Sequence, residues 1–241
     1  MEVIFFLAAF FSEIVGTIAG FGSSTVFLPL ALLFVDFKTA LTLVALFHVF
    51  GNMGRIGFFR HGLDKNMLTK FGLPSVFFTI LGASLVSYIS QSLLKGMLGI
   101  FLVGYSLLVL WKNTFKISPT LLTSVVGGGA SGFLAGLIGT GGALRGAFLT
   151  GFELPKEKYI ATAAAIALAV DMTRIPVYLS QGFLESQYYW YVPVLFAIAF
   201  AGSFTGKQIV TRISQKQFKK GVLVAIVAIG VKFIYDWLVT I

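Results

Sequence analysis

Three arginines interrupt long apolar runs in this chain: Arg55, Arg145 and Arg174. A charge deep in hydrocarbon is costly and normally faces a polar interior, and a guanidinium offers a planar fork of donors that suits an oxyanion. Arg145 follows the glycine-rich stretch Gly132-Phe133-Leu134-Ala135-Gly136-Leu137-Ile138-Gly139-Thr140-Gly141-Gly142, whose counterpart earlier in the chain is Gly16-Thr17-Ile18-Ala19-Gly20-Phe21-Gly22-Ser23-Ser24. A helix that begins just after each glycine break would present free N–H groups and a positive dipole end, which together form an anion site. The residues in that position are Gly22, Ser23, Ser24 and Thr25 in the first stretch and Gly139, Thr140, Gly141 and Gly142 in the second. Hydroxyls beside bare backbone suit sulfite, a sulfonate or a carboxylate. Gly16, Ala19, Gly20, Gly132, Ala135 and Gly136 are expected instead to let helices pack closely.

Arg55 and Arg174 fall at equivalent places in two related halves, which argues for one shared cavity lined by both, with Asn52 beside it. The alternative for Arg55 is that it snorkels to a boundary, since Arg60 lies close by. Asp171 precedes Arg174 by one helical turn, so the two can neutralise one another as a structural ion pair. Its counterpart is the uncharged Asn52. Asp171, Glu13 and His48 are the candidate proton carriers, because each can titrate inside apolar sequence. No metal-ligand or cofactor pattern is present. The chain has no cysteine, no H-E-x-x-H, no Walker A pattern and no serine and carboxylate pairing for either histidine, so enzymatic chemistry is not expected.

The elements that position these residues follow from composition. At 57% hydrophobic and 11% charged, the 241 residues cannot bury their apolar surface in an aqueous core; a soluble domain carries about 25% charged residues. Mean hydropathy is +0.93. The expected class is an all-α integral membrane protein with the lipid bilayer as its solvent. The net charge of +9 comes from basic residues scattered among loops instead of one stripe, so nucleic acid is not an expected partner. The N-terminus lacks the basic start of a cleaved signal peptide and is read as part of the mature chain. Most of the 26 Phe, 8 Tyr and 3 Trp are read as lipid-facing bulk, with Tyr188-Tyr189-Trp190-Tyr191 as an interfacial belt.

The apolar runs divide into two repeats, 1–116 and 117–241. The first contains runs at 3–35, 39–59, 68–90 and 93–111; the second contains 118–152, 159–180, 188–210 and 218–239. Landmarks recur between them at a near-constant offset: Gly62 with Gly182, Pro74 with Pro193, and Ile89-Ser90-Gln91 with Ile213-Ser214-Gln215. The first run of each repeat is too long for one crossing, since about 33 to 35 residues make a straight rod of about 50 Å. Each carries its glycine cluster near the middle, where a tight break is easy, so each is read as a broken or re-entrant helical hairpin followed by three transmembrane helices. A hairpin returns to the side it entered, which makes the two repeats inverted. Loop charges favour this arrangement. One side collects Arg60, Lys65, Lys70, Lys112, Lys116, Lys156, Lys158, Arg212, Lys216, Lys219 and Lys220, the other only Lys38 and Lys95. Because cytoplasmic loops hold the excess of Lys and Arg, both termini are expected outside. Duplicated, interrupted apolar helices are the pattern of a secondary transporter with its site between the halves. An anion channel or a carrier for small organic carboxylates uses the same features, and a homodimer is compatible with them.

Through Gly16-x-x-Ala19-Gly20-Phe21-Gly22 followed by Pro29, and through Gly132-x-x-Ala135-Gly136-x-x-Gly139-x-Gly141-Gly142, the chain resembles the TauE/SafE sulfite-exporter family. Gly62 and Gly182, after the second helix of each half, also fit. The resemblance covers nearly the whole chain and implies movement of sulfite, sulfoacetate or other sulfur-containing anions across the cytoplasmic membrane, usually outward. One departure stands out: Ser23-Ser24 occupies the first copy where the second has Gly141-Gly142, so the two tips are expected to bind unequally.

Overall fold

Backbone N–H and C=O groups find no water in hydrocarbon, so an apolar chain of this kind can satisfy them only within helices or a closed barrel. The computed structural model is all-helical among its described residues, which are 1–19, 22–59, 63–111, 117–209 and 215–240. Gly20, Phe21, Arg60, Gly62, Lys112, Lys116, Arg212, Ile213 and Ser214 lie outside them.

The helices are α1 (Glu2–Ala19), α2 (Ser24–Ala31), α3 (Phe37–Phe59), α4 (Lys65–Met67), α5 (Leu73–Leu85), α6 (Gln91–Trp111), α7 (Leu121–Ile138), α8 (Gly141–Gly151), α9 (Lys156–Ser180), α10 (Tyr191–Ile209) and α11 (Gln215–Thr240). A π-helical stretch, Leu68–Gly72, joins α4 to α5, and the unit runs on through a 3-10 turn at Val86–Tyr88. Seven described helical segments are long and apolar enough to cross a membrane. Each of the two overlong runs is broken at its glycine cluster, into α1 and α2 and into α7 and α8. The longer arms match, with 18 residues in α1 and 18 in α7.

Helix partners are chosen across the chain. The main contacts pair α1 with α10, α7 with α5, α3 with α9 and α6 with α11. Exchanging α1 with α7, α3 with α9, α5 with α10 and α6 with α11 leaves this set of pairs unchanged. Lipid tails are as apolar as leucine, so close packing and small residues hold such pairs together. In the α5 and α7 pair, a methyl on Gly128 would run into the carbonyl oxygen of Phe71, on Gly132 into that of Ser75, and on Gly136 into that of Thr79. The close approach lets the Ser75 hydroxyl reach the Gly128 carbonyl at 2.9 Å and the Thr79 hydroxyl reach that of Gly132 at 3.0 Å. In the α1 and α10 pair, Gly202 lies against the Glu13 side chain and Gly206 against Thr17. Gly99 and Gly230 face one another where α6 crosses α11.

Candidate functional site

Both breaks need a residue that tolerates left-handed backbone, and glycine supplies it: Gly22 has φ +86° and Gly139 has φ +74°. The N–H of Gly139 donates to the Ala135 carbonyl and closes the last turn of α7. Thr140 precedes α8 and Ser23 precedes α2 at their cap positions. The two tips touch, with the Thr140 hydroxyl donating to the Thr25 hydroxyl at 3.2 Å. Ser23, Ser24, Thr25, Thr140, Gly141 and Gly142 are buried, and the Ser23 hydroxyl has no hydrogen-bond partner. Gly16 packs directly on the Ser23 backbone, and Gly132 and Gly136 pack on α5, so these three are packing glycines, as is the way of small residues inside membranes.

Behind the tips, α3 and α9 face each other through polar residues spaced one and two turns apart, which places them on one side of each helix. On α3 these are His48, Asn52 and Arg55; on α9 they are Asp171, Arg174 and Tyr178. Asp171 holds the centre. Its Oδ1 accepts from Arg174 Nε at 2.9 Å and lies 2.7 Å from Nη2, while its Oδ2 lies 2.8 Å from His48 Nδ1 and 3.5 Å from Asn52 Nδ2. Arg174 is therefore committed twice, because its Nη1 also donates to the Ala135 carbonyl at 2.7 Å. The Tyr178 hydroxyl donates to the next carbonyl, that of Gly136. Both groups cap the end of α7, Arg174 sharing the Ala135 carbonyl with the Gly139 N–H, at the helix end where the dipole favours a cation.

Arg55 is committed in a different way. Its Nη2 donates to Glu13 Oε1 at 2.6 Å and its Nη1 to Asn52 Oδ1 at 2.9 Å. Ser203 on α10 donates to the same Glu13 oxygen at 2.7 Å. Glu13 is fully buried, and Gly51 makes room for it: a methyl there would lie 2.7 Å from Oε1. Removing one partner of a buried pair leaves an uncompensated charge, at a cost of about 3–5 kcal/mol. Glu13→Ala is thus expected to lower the unfolding temperature in detergent sharply, and the double substitution Glu13→Ala with Arg55→Leu to recover most of the loss. A double variant as unstable as the single one would show that the pair is not what matters there.

Arg145, on α8 one turn past the second tip, is only 5% exposed and makes no hydrogen bond or ion pair with any described residue. It lies within electrostatic reach of Asp171, Arg174, Arg55 and Tyr159. Of the three deep arginines, two are bound to carboxylates and the third has its donors free.

The structure thus gathers Glu13, His48, Asn52, Arg55, Asp171 and Arg174 into one network and brings the tips together in front of it. Tyr178 and Ser203 join that network without having been singled out in the sequence. Tyr178 shares the spacing of Asp171 and Arg174 on α9 and was open to detection; Ser203 is a serine in an apolar run and carries no such signal.

A family model for the sulfite exporter TauE/SafE matches residues 5–233. No curated protein and no solved structure matches the chain. The family match runs from inside α1 to inside α11 and takes in both broken hairpins, so the protein belongs to the sulfite exporter TauE/SafE family and is a multi-pass cell-membrane transporter, not an enzyme.

Proposed function

We propose that the chain carries small sulfur-containing oxyanions, sulfite or organosulfonates, out of the cell as a secondary transporter. The anion is held between the two tips, by backbone and hydroxyl groups of Gly22, Ser23, Ser24, Thr25, Gly139, Thr140, Gly141 and Gly142, with Arg145 supplying the charge. The buried side chain of Arg145, with no hydrogen-bond or ion-pair partner among the described residues, carries this reading, since a cation in a low-dielectric interior without a carboxylate bound to it is stabilised by an anionic guest. Arg55, Arg174 and Asn52 shape the wall and hold the network rigid. Two features support inverted halves that rock about this site: the exchange-invariant pairing of helices and the excess of Lys and Arg in one set of loops.

The test is counterflow in proteoliposomes. Vesicles loaded with unlabelled sulfite should take up labelled sulfite from outside well above protein-free vesicles, with methanesulfonate competing and acetate competing poorly. Uptake no faster than in empty vesicles overturns the substrate class. Steady current without exchange acceleration means a channel, and acetate outcompeting methanesulfonate means a carboxylate carrier.

A further inference from the structure

Three side chains in the buried network can take up a proton, and two of them are already occupied by arginines. Glu13 is held by Arg55, and Asp171 by Arg174. His48 differs. Its Nδ1 faces Asp171 Oδ2 at 2.8 Å, while its Nε2 has no hydrogen-bond partner among the described residues and points at the first tip: a methyl on Gly22 would lie 3.0 Å from it. With Asp171 held ionised by Arg174, the carboxylate accepts the proton of Nδ1 and fixes the tautomer. Neutral His48 then presents a lone pair to the tip; protonated His48 presents an N–H.

The charge count around this point is informative. The charged groups facing His48 are Asp171 and Arg174 from α9, Arg55 on its own helix and Arg145 from α8. Among the described residues, the tip between α1 and α2 brings Gly22 to His48 and presents no charged side chain, and Glu13 from α1 is paired with Arg55. The two ion pairs cancel, so Arg145 leaves one positive charge, enough for a monovalent anion. A divalent anion needs a second positive charge, and protonated His48 supplies one at the tip.

We propose that His48 adapts the site to divalent anions: a dianion is bound only together with one proton on His48 Nε2, whereas a monovalent sulfonate is bound by Arg145 without it. The proton comes from water on the loading side, resides on Nε2 while the dianion is held, and leaves to water on the far side when the dianion is released. Each turnover then moves one net negative charge for either class of guest. This rests on the anion-transport reading above and adds to it the selection between charge states.

The experiment compares methanesulfonate, monovalent throughout, with sulfoacetate, divalent throughout, in counterflow between pH 6 and 8.5. Sulfite is avoided as a probe because it titrates in that window. Above the range in which the imidazole changes charge, wild-type uptake of subsaturating sulfoacetate falls about tenfold per pH unit, the slope of a single linked proton. Methanesulfonate uptake changes little over the same range. In His48→Gln the ratio of sulfoacetate to methanesulfonate uptake at pH 6 falls about tenfold or more, the loss expected for one charge-assisted hydrogen bond, and its pH dependence disappears. A histidine that merely braces Asp171 would lower both fluxes together and leave the ratio unchanged, and that result overturns the proposal, as does a flat sulfoacetate profile in the wild type. Absence of wild-type uptake of both probes would instead overturn the transport reading on which the proposal depends.

Discussion

Arg145→Ala is expected to lower sulfite counterflow by about two orders of magnitude and to leave the folded protein as stable as the parent or more so. Truncating one partner of a buried charge pair costs about 2–5 kcal/mol of binding, and about 3 kcal/mol corresponds to a hundredfold in affinity. The stability half of the prediction is what separates Arg145 from its neighbours. Arg145 is 5% exposed and no carboxylate pairs with it among the described residues; Asp171, within electrostatic reach, is already bound by Arg174, so in the empty protein the desolvation of Arg145 is poorly compensated and its removal is not destabilising. Arg55→Ala and Arg174→Ala remove the partners of Glu13 and Asp171 and should destabilise by about 3–5 kcal/mol. Flux and melting temperature measured on the three variants give opposite patterns if the assignment holds. An Arg145→Ala protein that transports normally, or that melts like the other two, would remove this residue from the guest's site.

Gly132→Leu is expected to prevent assembly of the folded protein. Gly132 is the middle of three α7 glycines that lie on carbonyls of the α4–α5 unit, and even a methyl there would strike the Ser75 carbonyl. A leucine forces the two helices apart along their whole interface. The Thr79 hydroxyl then loses the Gly132 carbonyl and the Ser75 hydroxyl loses that of Gly128, bonds worth about 0.6 kcal/mol each in a membrane. Overpacking adds about 1–3 kcal/mol or more, and the tip at Gly139 moves with α7. Size-exclusion profile and thermal unfolding in detergent should both show collapse of the monodisperse species. Gly104→Leu is the matched control, because a side chain at Gly104 meets nothing within 4 Å. Equal behaviour of the two variants would mean that close approach of α7 to α5 is dispensable.

Much of the fold was legible because the bilayer reduces the options to helices of a set length. The runs at 3–35 and 118–152 were too long for one crossing, and their glycines marked the breaks; positive φ at Gly22 and Gly139 falls inside both stretches. The Asp171 and Arg174 pair was legible too, since a spacing of three is a local property of a helix. The other two pairs were not. Glu13 and Arg55 are 42 residues apart and His48 and Asp171 are 123 apart, and nothing in an apolar pattern specifies which helices will be neighbours. For the same reason the symmetric placement of Arg55 and Arg174 pointed equally to a guest and to internal carboxylates. What distinguishes Arg145 from them is that they are bound to Glu13 and Asp171 and it is not. Ser203 was invisible because one hydroxyl in an apolar helix bonds its own turn as readily as a distant carboxylate.

Because α1 rests mainly on α10 and α7 on α5, neither half of the polypeptide encloses its own first arm. During synthesis α1 enters the lipid and must wait for its mate until Tyr191 and beyond have been translated. The nascent chain therefore holds Glu13 without Ser203 for most of its elongation, and contacts of such long sequence separation close late. Split into two polypeptides between α6 and α7, the halves should each be degraded when produced singly and should rescue one another when produced together, since each then supplies the other's missing helix partner.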